Sequence, residues 1–246
     1  MPKSQIIKDI VEERVALEQS LNRLYILAVD VKNETLARWV KKELNGYSTA
    51  DDLPEYRRKT GLELKYSGIN GSLQVTNQPL PLYYVRENHR EKLKRIDLHD
   101  GIRYISELAS ANSPSIRDVS YLASDVAEIT NNEVQCISIK QIISQSVFQN
   151  VCANVKHLMI QALLELESKY GNLDKLGIDI SGKRPEQIEA NNEELNRIVF
   201  NINISRAAAQ KEKLTSKIVW KILFPIFTAV VGAIISAAVV THLGLG

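Results

Sequence analysis

Cysteine is nearly absent from this chain: Cys136 and Cys152 are the only two, with no CxxC pair and no metal-like spacing to histidine. A thiolate metal site is thereby excluded. Histidine is as sparse, occurring only at 89, 99, 157 and 242. No GxSxG, P-loop or GxGxxG string is present, which removes the sequence signatures of a hydrolase elbow, an NTP-binding loop and a dinucleotide fold. Net charge is only +2, so any nucleic-acid binding must come from local clusters. There is no internal repeat and no low-complexity linker, and Met1-Pro2-Lys3-Ser4-Gln5 opens no apolar stretch of a signal peptide. The carboxylate pairs Glu12–Glu13, Asp51–Asp52 and Glu193–Glu194 read as solvated faces. The expectation is a non-enzyme that needs no cofactor and no metal.

What the chain does have is an uncharged run from Ile222 to Val240. At a helical rise of about 1.5 Å per residue it covers close to the roughly 30 Å hydrocarbon core of a bilayer. Lys211, Lys213, Lys217 and Lys221 precede it and no lysine or arginine follows. One-sided lysines predict a transmembrane helix over 217–243 in a bacterial inner membrane, with the N-terminal part cytoplasmic and the C-terminus outside. In that reducing compartment both cysteines are free thiols. A core helix of a soluble domain is the competing reading.

Within the run, Ala229, Gly232, Ala233, Ser236, Ala237 and Val240 recur at helical spacing on one face, opposite Phe227, Val230, Val231, Ile234 and Ile235. Small residues let helix backbones approach closely in lipid. The stripe predicts self-association into a homo-oligomeric bundle, with a pore or oligomer face made of Thr228, Ala229, Gly232, Ala233, Ser236 and Ala237. In the blander reading alanine and glycine are merely tolerated in an anchor. Pro225 would kink the helix near its start.

The rest of the chain reads as mainly helical. An apolar stripe of Ile7, Val11, Leu17, Leu21, Leu24 and Ala28 predicts one amphipathic helix from Ser4 to Val29. Asn33 fits the N-cap of a second helix through Leu44, with Gly46 as its stop. Leu62–Tyr66 and Leu73–Val75 alternate around Gly68-Ile69-Asn70-Gly71 and predict a small β-hairpin. Helix resumes near Tyr83 and, broken around Gly101, reaches Ala109. Ser113-Pro114 begins another, to Ile129, and a long one runs from about Ile137 to Tyr170, ending at Gly171. Residues 172–185 read as linker, and Arg197–Ser205 as either a strand or a helix running into the anchor. The fold class expected is mainly α with a small β element, a cytosolic helical domain plus one C-terminal transmembrane helix. The divisions are an N-terminal domain at 1–85, a helical domain at 86–171, a linker and pre-membrane segment at 172–216, and the membrane helix at 217–243.

Two basic clusters are candidate nucleic-acid-binding sites. Arg57-Arg58-Lys59 is one. In the other, Arg86, Arg90 and Lys94 share a helix face at i, i+4 spacing, just after Tyr83-Tyr84. A phosphate backbone fits such a row, and tyrosines stack bases. The candidate ligand residues are Arg57, Arg58, Arg86, Arg90 and Lys94, and oligomerisation would multiply them around a symmetry axis. Against this, Glu87 and Glu91 interleave with the row, as on an ordinary surface helix laced with ion pairs. Ser181-Gly182-Lys183-Arg184 is a lesser candidate.

The string Leu36-Ala37-Arg38-Trp39-Val40-Lys41-Lys42-Glu43-Leu44-Asn45-Gly46-Tyr47, followed by Leu53-Pro54-Glu55-Tyr56-Arg57, resembles the AbiTii domain, an N-terminal module of bacterial abortive-infection and anti-phage proteins, over about residues 1–85. Physically, Trp39 and Tyr47 read as core and corner residues, Asn45-Gly46 as a helix C-terminus, and Glu43 and Arg57 as a pair across the loop. Joined to a C-terminal anchor, the domain also resembles the membrane effector of Hailong-type defence. That resemblance implies a homo-oligomeric ion channel in the lipid bilayer, gated by a nucleotide or a short single-stranded DNA oligomer that a partner nucleotidyltransferase makes. The alternative is a non-conducting, tail-anchored adaptor that tethers a partner toxin or enzyme to the inner membrane.

Overall fold

Helices α1 (Gln5–Val11), α2 (Leu17–Asp30), α3 (Glu34–Asn45), α5 (Ile102–Ser110) and α7 (Gln145–Tyr170) make the helical half of the computed structural model, which describes residues 3–60, 63–175 and 177–199. Their apolar stripes converge: Leu21, Leu24, Leu27, Leu36, Ile102, Ile105, Val155 and Met159 are fully buried. Burial of one such side chain stabilises by roughly 1.5–3 kcal/mol, so these stripes drive the packing of the half. The last described residues, 185–199, are helical, beginning on Pro185 and burying Leu195, as a proline at the first helical position allows.

The other half is a four-stranded antiparallel sheet of order β3 (Leu73–Pro79), β2 (Glu63–Asn70), β6 (Val134–Ile143), β5 (Ser115–Asp118). Helices α4 (Glu87–Lys94) and α6 (Ala123–Ile129) accompany it. Leu64, Tyr66, Leu93, Val126, Val134 and Ile139 form its core. Among the described residues there is also a two-stranded ladder, β1 (Arg58–Thr60) with β4 (Arg95–Asp97). The protein is thus mainly helical with a small antiparallel sheet.

Several elements depart from the sequence reading. The single N-terminal helix is two, because Glu13 takes a left-handed conformation (φ 56°) and the Arg14 N–H reaches back to the Asp9 carbonyl. That closure normally uses glycine, so the sequence carries no stop signal there. The helices expected over 113–129 and from 137 both begin as strands: β5 pairs Ser115 with Ile143 and Asp118 with Lys140, and β6 is held on its other side by β2. Ladder bonds on both flanks override the helical pattern of residues 137–143. The hairpin stands where expected, with longer strands and a bulge at Gly68. Added there, a Cβ would lie 2.0 Å from the Gln135 carbonyl oxygen, so only glycine fits.

The boundary expected at 85 is crossed by the β2–β6 ladder, and the described residues belong to one compact unit. The start of the expected linker is packed: Leu173 is buried, the Gln5 N–H donates to Asp174 Oδ1 at 2.5 Å, and the Ile178 N–H donates to Asp30 at 3.0 Å. Residues 197–199 are helical. The rest of the strand-or-helix segment, the membrane helix expected over 217–243 and its small-residue face lie outside the described residues. Among the described residues no helix is long and apolar enough to cross a membrane.

Candidate functional site

Residues 39–57 build a buried polar node. Asn33 caps α3 by accepting from the Leu36 N–H at 2.9 Å, and Gly46 (φ 90°) ends it. The turn puts Tyr47 against the segment before α5, where its N–H donates to the His99 carbonyl at 2.7 Å. Pro54 starts a single 3-10 turn, Glu55–Arg57, that swings Arg57 back over α3. Glu43 and Arg57 are both fully buried and pair at 2.6 Å. Tyr47 and Tyr56 donate to Glu43 Oε1 at 2.6 and 2.5 Å, and Trp39 Nε1 donates to the Tyr56 hydroxyl at 3.0 Å. The remaining guanidinium N–H groups serve the Leu98 and Asp100 carbonyls at 3.0 and 2.7 Å. Burial and the neighbouring Glu43 carboxylate push both phenols well above their ordinary range. Burial lowers the Arg57 pKa, but the Glu43 charge outweighs it and holds the group cationic.

The distinctive motif is therefore a structural staple. Arg57 is lost as a ligand contact, because its donors are spent inside the protein, and this corrects the sequence expectation. The pairing of Glu43 with Arg57 and the buried positions of Trp39 and Tyr47 agree with it. Arg58 sits in β1, largely buried, bonded to Asp52.

The second basic cluster lies on α4. Arg86 stands at the N-cap position of the helix: its N–H donates to the buried Asp125 at 3.3 Å, and its guanidinium bonds Glu128. His89 Nδ1 lies 2.5 Å from Asp125 Oδ2, and its ring meets Tyr121 edge-on with centroids 5.8 Å apart. Lys94 is exposed and pairs with Glu91 at 2.5 Å. Arg90 is half-buried, and its Nε has no hydrogen-bond partner among the described residues. Tyr83 and Tyr121 are 65% and 55% exposed. The seam of α4 with α6 thus holds a carboxylate-held histidine against the exposed Tyr121 ring, with Tyr83 exposed just before α4. Arg86, Arg90 and Lys94 were legible as a row. Tyr121 and Asp125 were not, because a contact across some 36 residues leaves no local signal.

Two hollows flank these sites. One, of about 750 Å³, lies between the α1–α2 corner, α5 and α7, and includes Ser20, Ser106, Cys152, Lys156 and His157. Lys156 reaches Glu13 at 2.7 Å, and Cys152 Sγ lies 3.6 Å from Ser106 Oγ. Burial raises the Cys152 thiol, so it stays protonated and a weak nucleophile. The other, about 830 Å³, gathers Lys92, Arg95 and Arg117 with Glu91 and Asp97. Among the described residues no cluster of His, Cys, Asp and Glu is arranged to hold a metal.

A helical unit stapled by an internal ion pair and carrying a one-sided sheet is the class that the fold defines. The family model AbiTii matches residues 4–217, and the chain belongs to that family. The match reaches well beyond the first 85 residues that carry the motif. An AbiTii domain marks a role in abortive-infection defence against phage. No curated protein and no solved structure matches the chain.

Proposed function

We propose that the protein is a membrane effector of abortive infection: a homo-oligomer whose segment 217–243 spans the inner membrane and conducts ions, gated by a nucleotide or a short single-stranded DNA oligomer bound to the N-terminal unit. The observation that carries the reading is the uncharged run Ile222–Val240 behind a row of lysines in an AbiTii-family chain. The ligand surface in this reading is the α4–α6 seam. Tyr83 and Tyr121 offer ring faces to bases, while the exposed Arg86 and Lys94 offer charge to phosphate oxygens. A bound polyanion acts by binding two packings of the bundle unequally.

Ion flux from liposomes holding the purified full chain tests the reading, with oligodeoxyadenylate added or withheld. Flux that the oligomer changes supports it. No flux in either condition, with the chain inserted, overturns it. The internal pairing of Arg86 with Glu128 and of Lys94 with Glu91 favours a second reading, a non-conducting adaptor that tethers a partner toxin or enzyme. In that case Gly232→Leu and Ser236→Leu leave function intact.

A further inference from the structure

The hollow of about 750 Å³ between the α1–α2 corner, α5 and α7 falls within the roughly 300–1,000 Å³ of small-molecule sites. The residue types make the room. Deeper in the helical half, α2, α5 and α7 pack on Leu24, Ile105 and Val155. Beside the hollow the same helices present Ser20, Ser106, Ala109, Cys152 and Ala153, whose small side chains leave a gap that leucine or isoleucine would close. The most deeply buried polar group of the lining is Ser20, whose hydroxyl donates to the Ala16 carbonyl of the preceding turn at 3.3 Å and keeps its acceptor capacity. Ser106 Oγ meets the Cys152 sulfur at 3.6 Å, a weak partner. Ile10, Leu17 and Ile160 make the apolar part of the wall.

Charge enters the hollow at one point. Lys156 is the only lysine or arginine of the lining and Glu13 its only carboxylate, and the two pair at 2.7 Å. They are unequally committed: the Lys156 side chain is 28% exposed and that of Glu13 78%. Glu13 stands on the left-handed corner between α1 and α2 and can turn to water at little cost, since an ion pair so exposed contributes little. Lys156 is then an unopposed cation beside an apolar hollow furnished with hydroxyls. We infer that the hollow binds a small organic anion, an apolar body carrying one sulfonate, carboxylate or phosphate group, with Lys156 taking the anionic group in place of Glu13. The body lies against Ile10, Leu17 and Ile160, and the Ser20 and Ser106 hydroxyls meet any polar atom it carries. No residue of α4 or α6 contributes, so the site is separate from the proposed α4–α6 ligand surface.

Calorimetric titration of the purified full chain in nonionic detergent tests the site, with naphthalenesulfonate as the probe and protein-free detergent as the blank. Saturable heat is expected. Lys156→Gln should weaken binding about tenfold. Glu13→Gln, which removes the competing carboxylate, should strengthen it about threefold. Both side chains reach solvent, so the thermal unfolding midpoint should hold in each variant, and the opposite signs separate a site from an adhesive surface. Neutral naphthalenesulfonamide should bind wild type no better than the sulfonate binds Lys156→Gln. Ala153→Trp, on the exposed side of α7, should fill the hollow and abolish the heat. No saturable heat at millimolar sulfonate overturns the site, as does equal binding by wild type, Lys156→Gln and Glu13→Gln. Inorganic phosphate that binds as tightly as the sulfonate overturns the apolar body and reduces Lys156 to a bare anion contact.

Discussion

In the helical half, α7 is packed by α1, α2 and α5, and even an arginine and a glutamate are fully buried, each satisfied by the other. In the sheet half, core side chains line one face of β2 and β6, and isoleucines on the other are left to solvent. The first half shows how a polar motif can be structural: the five side chains of Trp39, Glu43, Tyr47, Tyr56 and Arg57 make one internal hydrogen-bond set. The second shows where groups remain available, since exposed rings and apolar side chains there are left to solvent.

The comparison breaks most sharply at Glu43. Glu43→Ala strands a buried guanidinium and should cost about 3–5 kcal/mol, read by denaturant unfolding. Arg57→Ala should cost as much, and the double variant less than the sum of the two. A difference below about 1 kcal/mol would mean the staple is not what holds the helical half. Next comes Gly46→Ala, expected to destabilise by about 2 kcal/mol, because φ is 90° and a Cβ would lie 2.6 Å from the His99 carbonyl oxygen.

Glu167→Gln follows, at about 1–2 kcal/mol. Burial raises the pKa of this carboxylate, but hydrogen bonds from Lys3 and Ser4 outweigh that and set it at about 2, below its ordinary 4.5. A lowered folded value means that its contribution is complete above about pH 4.5 and fades as pH falls toward 2. The wild type should therefore lose stability through that window more steeply than the variant. The smallest effect belongs to the sheet: Ile137→Ser should shift monomer stability by no more than about 0.5 kcal/mol. A larger loss would show that the outer face is already covered within one chain.

Much of the helical half was legible in the residues. Asn33 and Gly46 delimit α3 because cap chemistry is local, and the Glu43–Arg57 pair was legible because the turn at Pro54 lies within the same short motif. The break at Glu13 was not, since a glutamate does the work of a glycine. Strands β5 and β6 were misread for a different reason: ladder partners supplied by β2 and by each other, distant in sequence, decide their state. The α4–α6 seam was half legible, its cations from i, i+4 spacing and its tyrosine and aspartate partners only from the fold.

The clamp at Glu167 has a bearing on how the molecule is made. The N–H and hydroxyl of Ser4 both donate to this residue, and the same hydroxyl accepts from the Leu173 N–H across a separation of 169 positions. A ribosome releases the first helix long before its partners exist, so α1 must wait, unlatched, while most of the unit is synthesised. Closure then comes late and at once, when the end of α7 emerges, and residues 222–240 follow it in the order of translation. The clamp can therefore close before the most apolar segment of the chain leaves the exit tunnel.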